Sequence, residues 1–227
     1  MTLAAALRAG LAAIADPGKA PAMQAYMKSA MPFRGVPTPE RRQLVREVLT
    51  ARGTPTDRAT WESTVRDLWD NAAYREERYV AVDLCALRSA RVWQDPAVVP
   101  MYDHFVITGA WWDHVDAVAI ALVGPILRAH RATVTPVVRG WIDDPDPWRR
   151  RSSVIVQNGA KSHTDQALLS EAILANAGDT DFFLRKGIGW ALREYAKTDP
   201  AWVRSFVDTH HDQLSPLSRQ EATKHLR

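Results

Sequence analysis

The stretch Trp111-Trp112-Asp113-His114-Val115-Asp116 opens an apolar run that reaches Leu127 and predicts a long helix in the middle of the chain. Residues three and four apart share one face of a helix, so Val115, Ala119, Leu122 and Ile126 form an apolar stripe. Asp116 lies at the edge of this stripe, one turn after Trp112, where its carboxylate is expected to be partly desolvated. Two interpretations stay open at this point: a core tryptophan beside a capping aspartate, or an indole and a carboxylate that share a site.

The helical period continues on both sides of this stretch through nearly the whole chain. A capping residue before a proline marks several helix starts, namely Thr38-Pro39, Asp146-Pro147, Asp199-Pro200 and Ser215-Pro216. We find no alternation of period two longer than four residues, so no strand is predicted. The predicted helices are Leu3–Ala15, Pro21–Ala30, Pro39–Ala51, Ala59–Asp70, Ala73–Ser89, Ala97–Ile107, Trp112–His130, Thr135–Ile142, Pro147–Asn158, Asp165–Ala175, Asp181–Thr198, Pro200–His210 and Pro216–Leu226.

The spacing of these helices predicts a repeat architecture. Pairs of tightly joined helices that recur at roughly 35–45 residues are typical of a HEAT-type solenoid, which leaves a long concave surface. A helical bundle is the alternative. We expect one all-helical domain over residues 1–227, with flanking N-terminal helices over 1–57 and the repeat array over 58–227.

Composition narrows the functional classes. The chain has 227 residues, of which 46% are hydrophobic and 24% charged, as in ordinary soluble proteins. No run approaches the roughly 18 apolar residues of a membrane span, and the first fifteen residues predict an amphipathic helix rather than a signal peptide. The single Cys85 excludes an intramolecular disulfide and a cysteine-cluster zinc site, and it fits a buried, inert thiol in a reducing cytoplasm.

Charge is unevenly distributed although the formal net charge is only +3. Two basic ends surround an acidic middle, which indicates one cationic face. The chain also holds nine tryptophans, several beside arginines. His210-His211-Asp212 is interpreted as a solvated helix end and not as a metal site, because adjacent histidines point in different directions on a helix.

The segment Phe183–Lys197 predicts an amphipathic helix with an unusual polar side. Leu184, Ile188, Ala191 and Tyr195 fall on one side, whereas Lys186, Trp190, Arg193 and Lys197 fall on the other. An indole among cations suits a nucleic acid, which offers both planar bases and phosphates. The alternative is that Trp190 is buried against a neighbouring helix.

Two further features of the sequence predict close contacts. Gly187 and Gly189 each cost about 1 kcal/mol relative to alanine inside a helix, which predicts close approach of neighbouring backbone. Arg149, Arg150 and Arg151 cannot all point the same way, so at least one is expected to face a partner or an acid. Arg151 precedes an apolar run, and we expect its guanidinium to project from a buried helix and bind a phosphate in a bidentate manner.

Several of these stretches resemble one known family. Tyr26-Met27-Lys28, Gly35–Arg42, Trp111–Asp116, Ile188–Lys197 and Pro216–His225 are similar, in this order, to the AlkD-like DNA glycosylases, a group of DNA alkylation repair enzymes. The resemblance spans nearly the whole chain. It implies an all-α, right-handed helical solenoid of HEAT-like repeats whose concave cationic face binds duplex DNA.

The resemblance also implies roles for individual residues. It implies that Asp116 is the catalytic carboxylate, and that Trp112 and Trp190 pack on the deoxyribose backbone around the lesion. Arg151 and Arg193 correspond to phosphate-binding arginines. The other DNA-facing positions are Tyr26, Lys28, Thr38 and Arg42, to which the helical wheel adds Lys186 and Lys197.

The chemistry that this implies needs a single acid. A purine alkylated at N3 or N7 is cationic and already a good leaving group, so the enzyme must stabilise positive charge on the sugar instead of protonating the base. One desolvated carboxylate can do this and orient the attacking water, while indole faces add cation–π attraction. This hypothesis requires Asp116 to be free of any arginine ion pair and to face the groove that both indoles line.

The sequence thus predicts a monomeric DNA glycosylase for cationic alkylpurines in double-stranded DNA, acting in base excision repair and located in the cytoplasm with the nucleoid. No cofactor, no metal and no membrane are expected. Two alternatives remain: a catalytically silent DNA-binding solenoid, and a protein-binding HEAT scaffold with negligible DNA affinity.

Overall fold

The computed structural model describes residues 1–226, and this part of the chain is helical with no strand, which confirms the all-α prediction. It divides into two compact units, Met1–Trp93 and a second one that begins at Gln94. None of the helices in the described part is long and apolar enough to cross a membrane. The predicted boundary at residue 57 falls inside the first unit, between two of its helices.

The first unit is a small all-helical core. Helix α1 packs against α3, α4 and α5, and α4 pairs with α5. Trp61 is fully buried in this core, where its indole nitrogen donates to the carbonyl of Leu84 and its ring stacks on Trp93 at 5.3 Å. The helices of this unit are α1 (Leu3–Ala13), α2 (Ala20–Met27), α3 (Thr38–Arg52), α4 (Arg58–Asp70) and α5 (Arg75–Cys85), followed by a 3-10 helix over Arg88–Trp93.

The second unit consists of repeated helix pairs. Its helices are α6 (Val99–Gly109), α7 (Trp112–Asp116), α8 (Gly124–Ala129), α9 (Arg131–Ile142), α10 (Pro147–Ile155), α11 (Gln166–Asn176), α12 (Phe182–Ala196), α13 (Pro200–Thr209) and α14 (Pro216–Thr223). Helices α7, α10, α12 and α14 stack on one another in this order, and α9 packs on α11.

The helices of the stacked layer begin at residues 112, 147, 182 and 216, so the repeat is 34 or 35 residues long. This is the short end of the predicted spacing. Stacking of equivalent helices from successive pairs is the arrangement that HEAT-like repeats use to bury a continuous core.

Three of the four predicted capping residues are confirmed. Asp146, Asp199 and Ser215 each accept a hydrogen bond from a backbone N–H in the first turn of their helix. The cap predicted at Thr38 is wrong, because α3 begins at Thr38 and the residue before it is Pro37. The Thr38 hydroxyl instead accepts from Nη1 of Arg41 at 3.4 Å.

The helix predicted over Trp112–His130 is continuous but not uniform. Ala117–Val123 form wider π-helical turns between α7 and α8. Pro125 gives a physical reason, since proline has no N–H for the carbonyl one turn earlier and its ring crowds that carbonyl. The predicted apolar stripe is nevertheless buried, because Val115, Ala119, Leu122 and Ile126 are all at most 2% exposed.

Candidate active site and nucleic-acid interface

Asp116 is bound by an arginine from the next repeat. Nε of Arg151 lies 2.7 Å from Oδ1 of Asp116, and Nη2 lies 2.8 Å from Oδ2, so the pair is bidentate. The carboxylate comes from the end of α7 and the guanidinium from the second turn of α10, which stacks on it. The two side chains are 15% and 5% exposed. Both charges are therefore largely removed from solvent.

A third helix completes the surroundings of this ion pair. Nη1 of Arg151 donates to the backbone carbonyl of Phe183 in the first turn of α12. A Cβ added to Gly187 would lie 3.0 Å from the same Nη1. Gly187 thus leaves room for the arginine side chain, whereas the sequence predicted an approach of backbone at this position. Helices α7, α10 and α12 meet at the pair.

This geometry corrects two expectations from the sequence. Asp116 is not free of an arginine ion pair, so the predicted mechanism with an unpaired carboxylate is wrong, and Arg151, expected to bind phosphate, binds the carboxylate instead. The cause is the repeat itself, because stacking equivalent helices places position 151 beside position 116. The expected desolvation holds: burial raises the pKa of Asp116, against the opposing effect of Arg151.

All three consecutive arginines face acids. Arg149 pairs with Asp103 and with Asp144 at 3.0 Å, and Arg150 pairs with Asp179 at 2.9 Å. The prediction that at least one of them faces an acid is therefore confirmed. These three pairs leave Arg151 as the arginine directed toward Asp116.

The two tryptophans assigned to the site are both partly exposed. Trp112 begins α7, one turn before Asp116, so the two share a helix face. Trp190 lies on α12 between Lys186 and Arg193 and is not fully buried, unlike Ile188 and Ala191 on the opposite side. Both indoles retain surface on which a ligand could pack.

An aromatic cluster that the sequence did not assign lies at the starts of the same three helices. The ring of Trp111 lies 6.0 Å from Trp148 and 5.2 Å from Phe183, and Trp148 lies 5.3 Å from Phe183. Phe182, next to it, is 57% exposed. The signal in the sequence was an aromatic residue at each helix start, repeated at the spacing of the helix pairs.

The cationic side of α12 is paired with acids. Nζ of Lys186 lies 2.6 Å from Oε1 of Glu221, and Arg193 bonds the other oxygen of the same carboxylate. Glu221 comes from α14 and is 8% exposed. Lys197, predicted to face DNA, bonds Glu194 one turn earlier on its own helix. The sequence did not assign Glu221, because nothing in its local pattern shows which helix it meets.

The helix contact that places Glu221 depends on a glycine. A Cβ added to Gly189 would lie 2.5 Å from the Cβ of Glu221 and 2.7 Å from the carbonyl oxygen of Ser218. The prediction of a close backbone approach is confirmed at this position. Helices α12 and α14 can pack this closely only where α12 has no side chain.

We expect Gly189→Ala to lower the free energy of unfolding by about 1–3 kcal/mol, since overpacking outweighs the gain in helix propensity. Gly140→Ala is the matched control, because a Cβ at Gly140, within α9, meets nothing within 4 Å. The control should gain about 0.5–1 kcal/mol. Urea unfolding of both variants measures the difference, and equal stabilities would contradict the packing argument.

The remaining predicted DNA-facing residues lie in the first unit. Tyr26 is 76% exposed at the end of α2, and Lys28 follows it as a left-handed cap with φ +48°. Thr38 is exposed at the start of α3. The side chain of Arg42 is 62% exposed, with its Nε 3.4 Å from Asp83. These positions are accessible.

A buried carboxylate holds the loop between Lys28 and Thr38. Glu76 is fully buried and accepts backbone hydrogen bonds from Arg34, Gly35 and Val36 at 2.9–3.1 Å. Gly35 has φ +79°, and a Cβ there would lie 2.1 Å from the carbonyl oxygen of Asp16. Only glycine fits this position, which gives a physical reason for the Gly35-Val36-Pro37 stretch.

Comparison with known proteins yields one family. The family model described as "DNA alkylation repair enzyme" matches residues 7–226. Among solved structures, the chain is similar to a predicted DNA alkylation repair enzyme from Enterococcus faecalis, with a TM-score of 0.82 and 33% identity over 93% of this chain and 96% of that one. No curated protein matches the chain.

Proposed function

Because the chain belongs to the DNA alkylation repair enzyme family, we propose that it is a monofunctional DNA glycosylase acting on cationic purines. Its substrates would be purines alkylated at N3 or N7 in duplex DNA. The observation that carries the proposal is Asp116, a carboxylate 15% exposed, which shares a helix face with the partly exposed Trp112.

In the proposed reaction the protein has to stabilise positive charge on the sugar but does not have to protonate the base. The bond between C1′ and the purine nitrogen breaks, and its electron pair neutralises the cationic base, which departs without protonation. Positive charge develops on the sugar, and water then adds to C1′ and loses a proton. An abasic site and the free alkylated base are the products. A carboxylate near C1′ lowers the barrier because it is fixed in place before the charge develops.

The ion pair changes how Asp116 would do this. A bidentate guanidinium uses one lone pair on each oxygen, which leaves the other lone pairs for a water molecule. Arg151 opposes the effect of burial on the pKa of Asp116 and so favours the ionised form. It also screens part of the negative charge, so Asp116 stabilises the sugar less than an unpaired carboxylate would. We assign Asp116 as the catalytic residue and Arg151 as its positioning residue.

The indoles and cations would hold the nucleotide. Trp112 and Trp190 would pack on the deoxyribose and add cation–π attraction to its developing charge. Arg193, Lys186 and Lys197 would contact phosphates from the second unit. In the first unit, Tyr26, Lys28, Thr38 and Arg42 would bind the DNA backbone. Recognition through the backbone and not through a deep base pocket would also admit bulky adducts.

Release of a base from a defined duplex tests the proposal. We expect the wild-type protein to liberate 7-methylguanine from a duplex with one such lesion and to leave an abasic site, well above the spontaneous rate in buffer. Release no faster than in buffer, together with duplex binding, would identify a catalytically silent DNA-binding protein. Failure to bind duplex at low salt would favour the protein-binding scaffold.

A further inference from the structure

We propose that Glu221 is a positioning residue for DNA binding, which holds Lys186 and Arg193 on either side of Trp190 and halves their combined charge. The inference rests on one part of the proposed function, namely that the protein binds DNA. It concerns a carboxylate for which the reaction itself has no use, placed on the last helix of the described chain.

The geometry joins one carboxylate to two cations. Lys186 lies one turn before Trp190 on α12, and Arg193 lies one turn after it. Each bonds a different oxygen of Glu221. Lys186 lowers the pKa of Glu221 most, and Arg193 adds to the effect, so the carboxylate stays ionised at neutral pH. The cluster carries a net charge of +1.

The two cations keep donors for a ligand. A lysine has three N–H donors and an arginine has five, and within residues 1–226 each of these side chains gives only one hydrogen bond, to Glu221. Their side chains are 41% and 22% exposed, whereas that of Glu221 is 10% exposed. The carboxylate is therefore less exposed than either of the cations that it pairs with.

This arrangement has two consequences for binding. Long cationic side chains lose conformational freedom when they bind phosphate, and a buried carboxylate removes part of that freedom in advance. It also removes one positive charge, and undamaged duplex, which is held mainly through its phosphates, would then bind more weakly. Both consequences favour binding of a phosphate at one defined position over nonspecific binding of any DNA phosphate.

Glu221→Gln separates this role from a merely structural contact between α12 and α14. We expect the plot of log K against log salt for undamaged duplex to steepen by about one unit, as for one added phosphate contact. We expect the single-turnover release of 7-methylguanine to fall by about tenfold or more, because the cations are no longer held in register. Glu221→Asp keeps the charge and should keep the wild-type slope.

Glu171→Gln is the matched control, since Glu171 pairs with Arg139 on other helices and its loss changes the net charge equally. If Glu221 has only a structural role, Glu221→Gln and Glu171→Gln should give the same salt slope. The folded Glu221→Gln protein should then also release 7-methylguanine at the wild-type rate. Either result overturns the proposal. The slope is measured on unmodified duplex, so it stays informative if the wild type releases no base and the glycosylase assignment fails.

If Glu221→Gln does not fold, Lys186→Gln tests whether the charge of this cluster sets the salt dependence of DNA binding. It leaves Glu221 and Arg193 as a neutral pair, so the slope should become shallower by about one unit. Arg139→Gln is its control. Equal slopes for these two variants would overturn the proposal.

Discussion

Asp116→Asn should reduce the single-turnover release of 7-methylguanine by about 10²–10³-fold, the loss typical of removing one preorganised electrostatic group. Asparagine keeps the shape of the side chain but has no charge to place against the sugar. The measurement is the rate of base release at saturating protein, corrected for spontaneous depurination. An unchanged release rate would show that the protein is a glycosylase but that this carboxylate is not its catalyst.

Two controls sharpen this result. Asp113→Asn removes a neighbouring carboxylate, whose charge raises the pKa of Asp116, and should leave the release rate nearly unchanged at neutral pH. The wild-type rate should fall with decreasing pH as Asp116 becomes protonated. Burial raises the pKa of Asp116, so the pH at which the rate falls should lie above the ordinary aspartate pKa of 3.8. This fall in rate at low pH should be absent in Asp116→Asn.

The largest effect on stability is expected from Arg151→Met. The variant leaves the carboxylate of Asp116 buried without its partner, and breaking such a pair costs about 3–5 kcal/mol. Arg139→Met is the control, because the side chains of Arg139 and Glu171 are 53% and 44% exposed and such a surface pair contributes only about 0–1 kcal/mol. Urea unfolding at neutral pH measures both.

The double variant Asp116→Asn/Arg151→Met separates stability from catalysis. It removes both charges together, so we expect it to recover most of the stability lost in Arg151→Met while base release stays as low as in Asp116→Asn. Equal unfolding free energies for Arg151→Met and Arg139→Met would show that the buried pair contributes no more than a surface one.

The sequence predicted the helices well because the relevant forces are local. Caps such as Asp146 and Asp199 satisfy N–H groups within their own first turn, and the stripe from Val115 to Ile126 follows from helical periodicity alone. The family resemblance is confirmed by the match over residues 7–226. The residue roles that it implies remain predictions.

The ion pairs could not be predicted, because they join helices that are distant in sequence. Arg151 reaches Asp116 across 35 positions, and Glu221 reaches Lys186 across another 35. A helical wheel shows which side of a helix a cation occupies, but not which acid the next helix presents there. Arg42, Arg151, Lys186, Arg193 and Lys197 were therefore all predicted to face DNA, two of them as phosphate ligands, whereas in the structure each is paired with a carboxylate.

The π-helical turns over Ala117–Val123 begin directly after Asp116. A wider turn absorbs an extra residue, so the helix before it and the helix after it follow different angular registers. The π-helical turns therefore set the angle between the face that carries Asp116 and the face by which α8 is anchored in the core. Deleting one residue from these turns would keep the buried anchors of α8 and rotate Asp116 relative to Arg151.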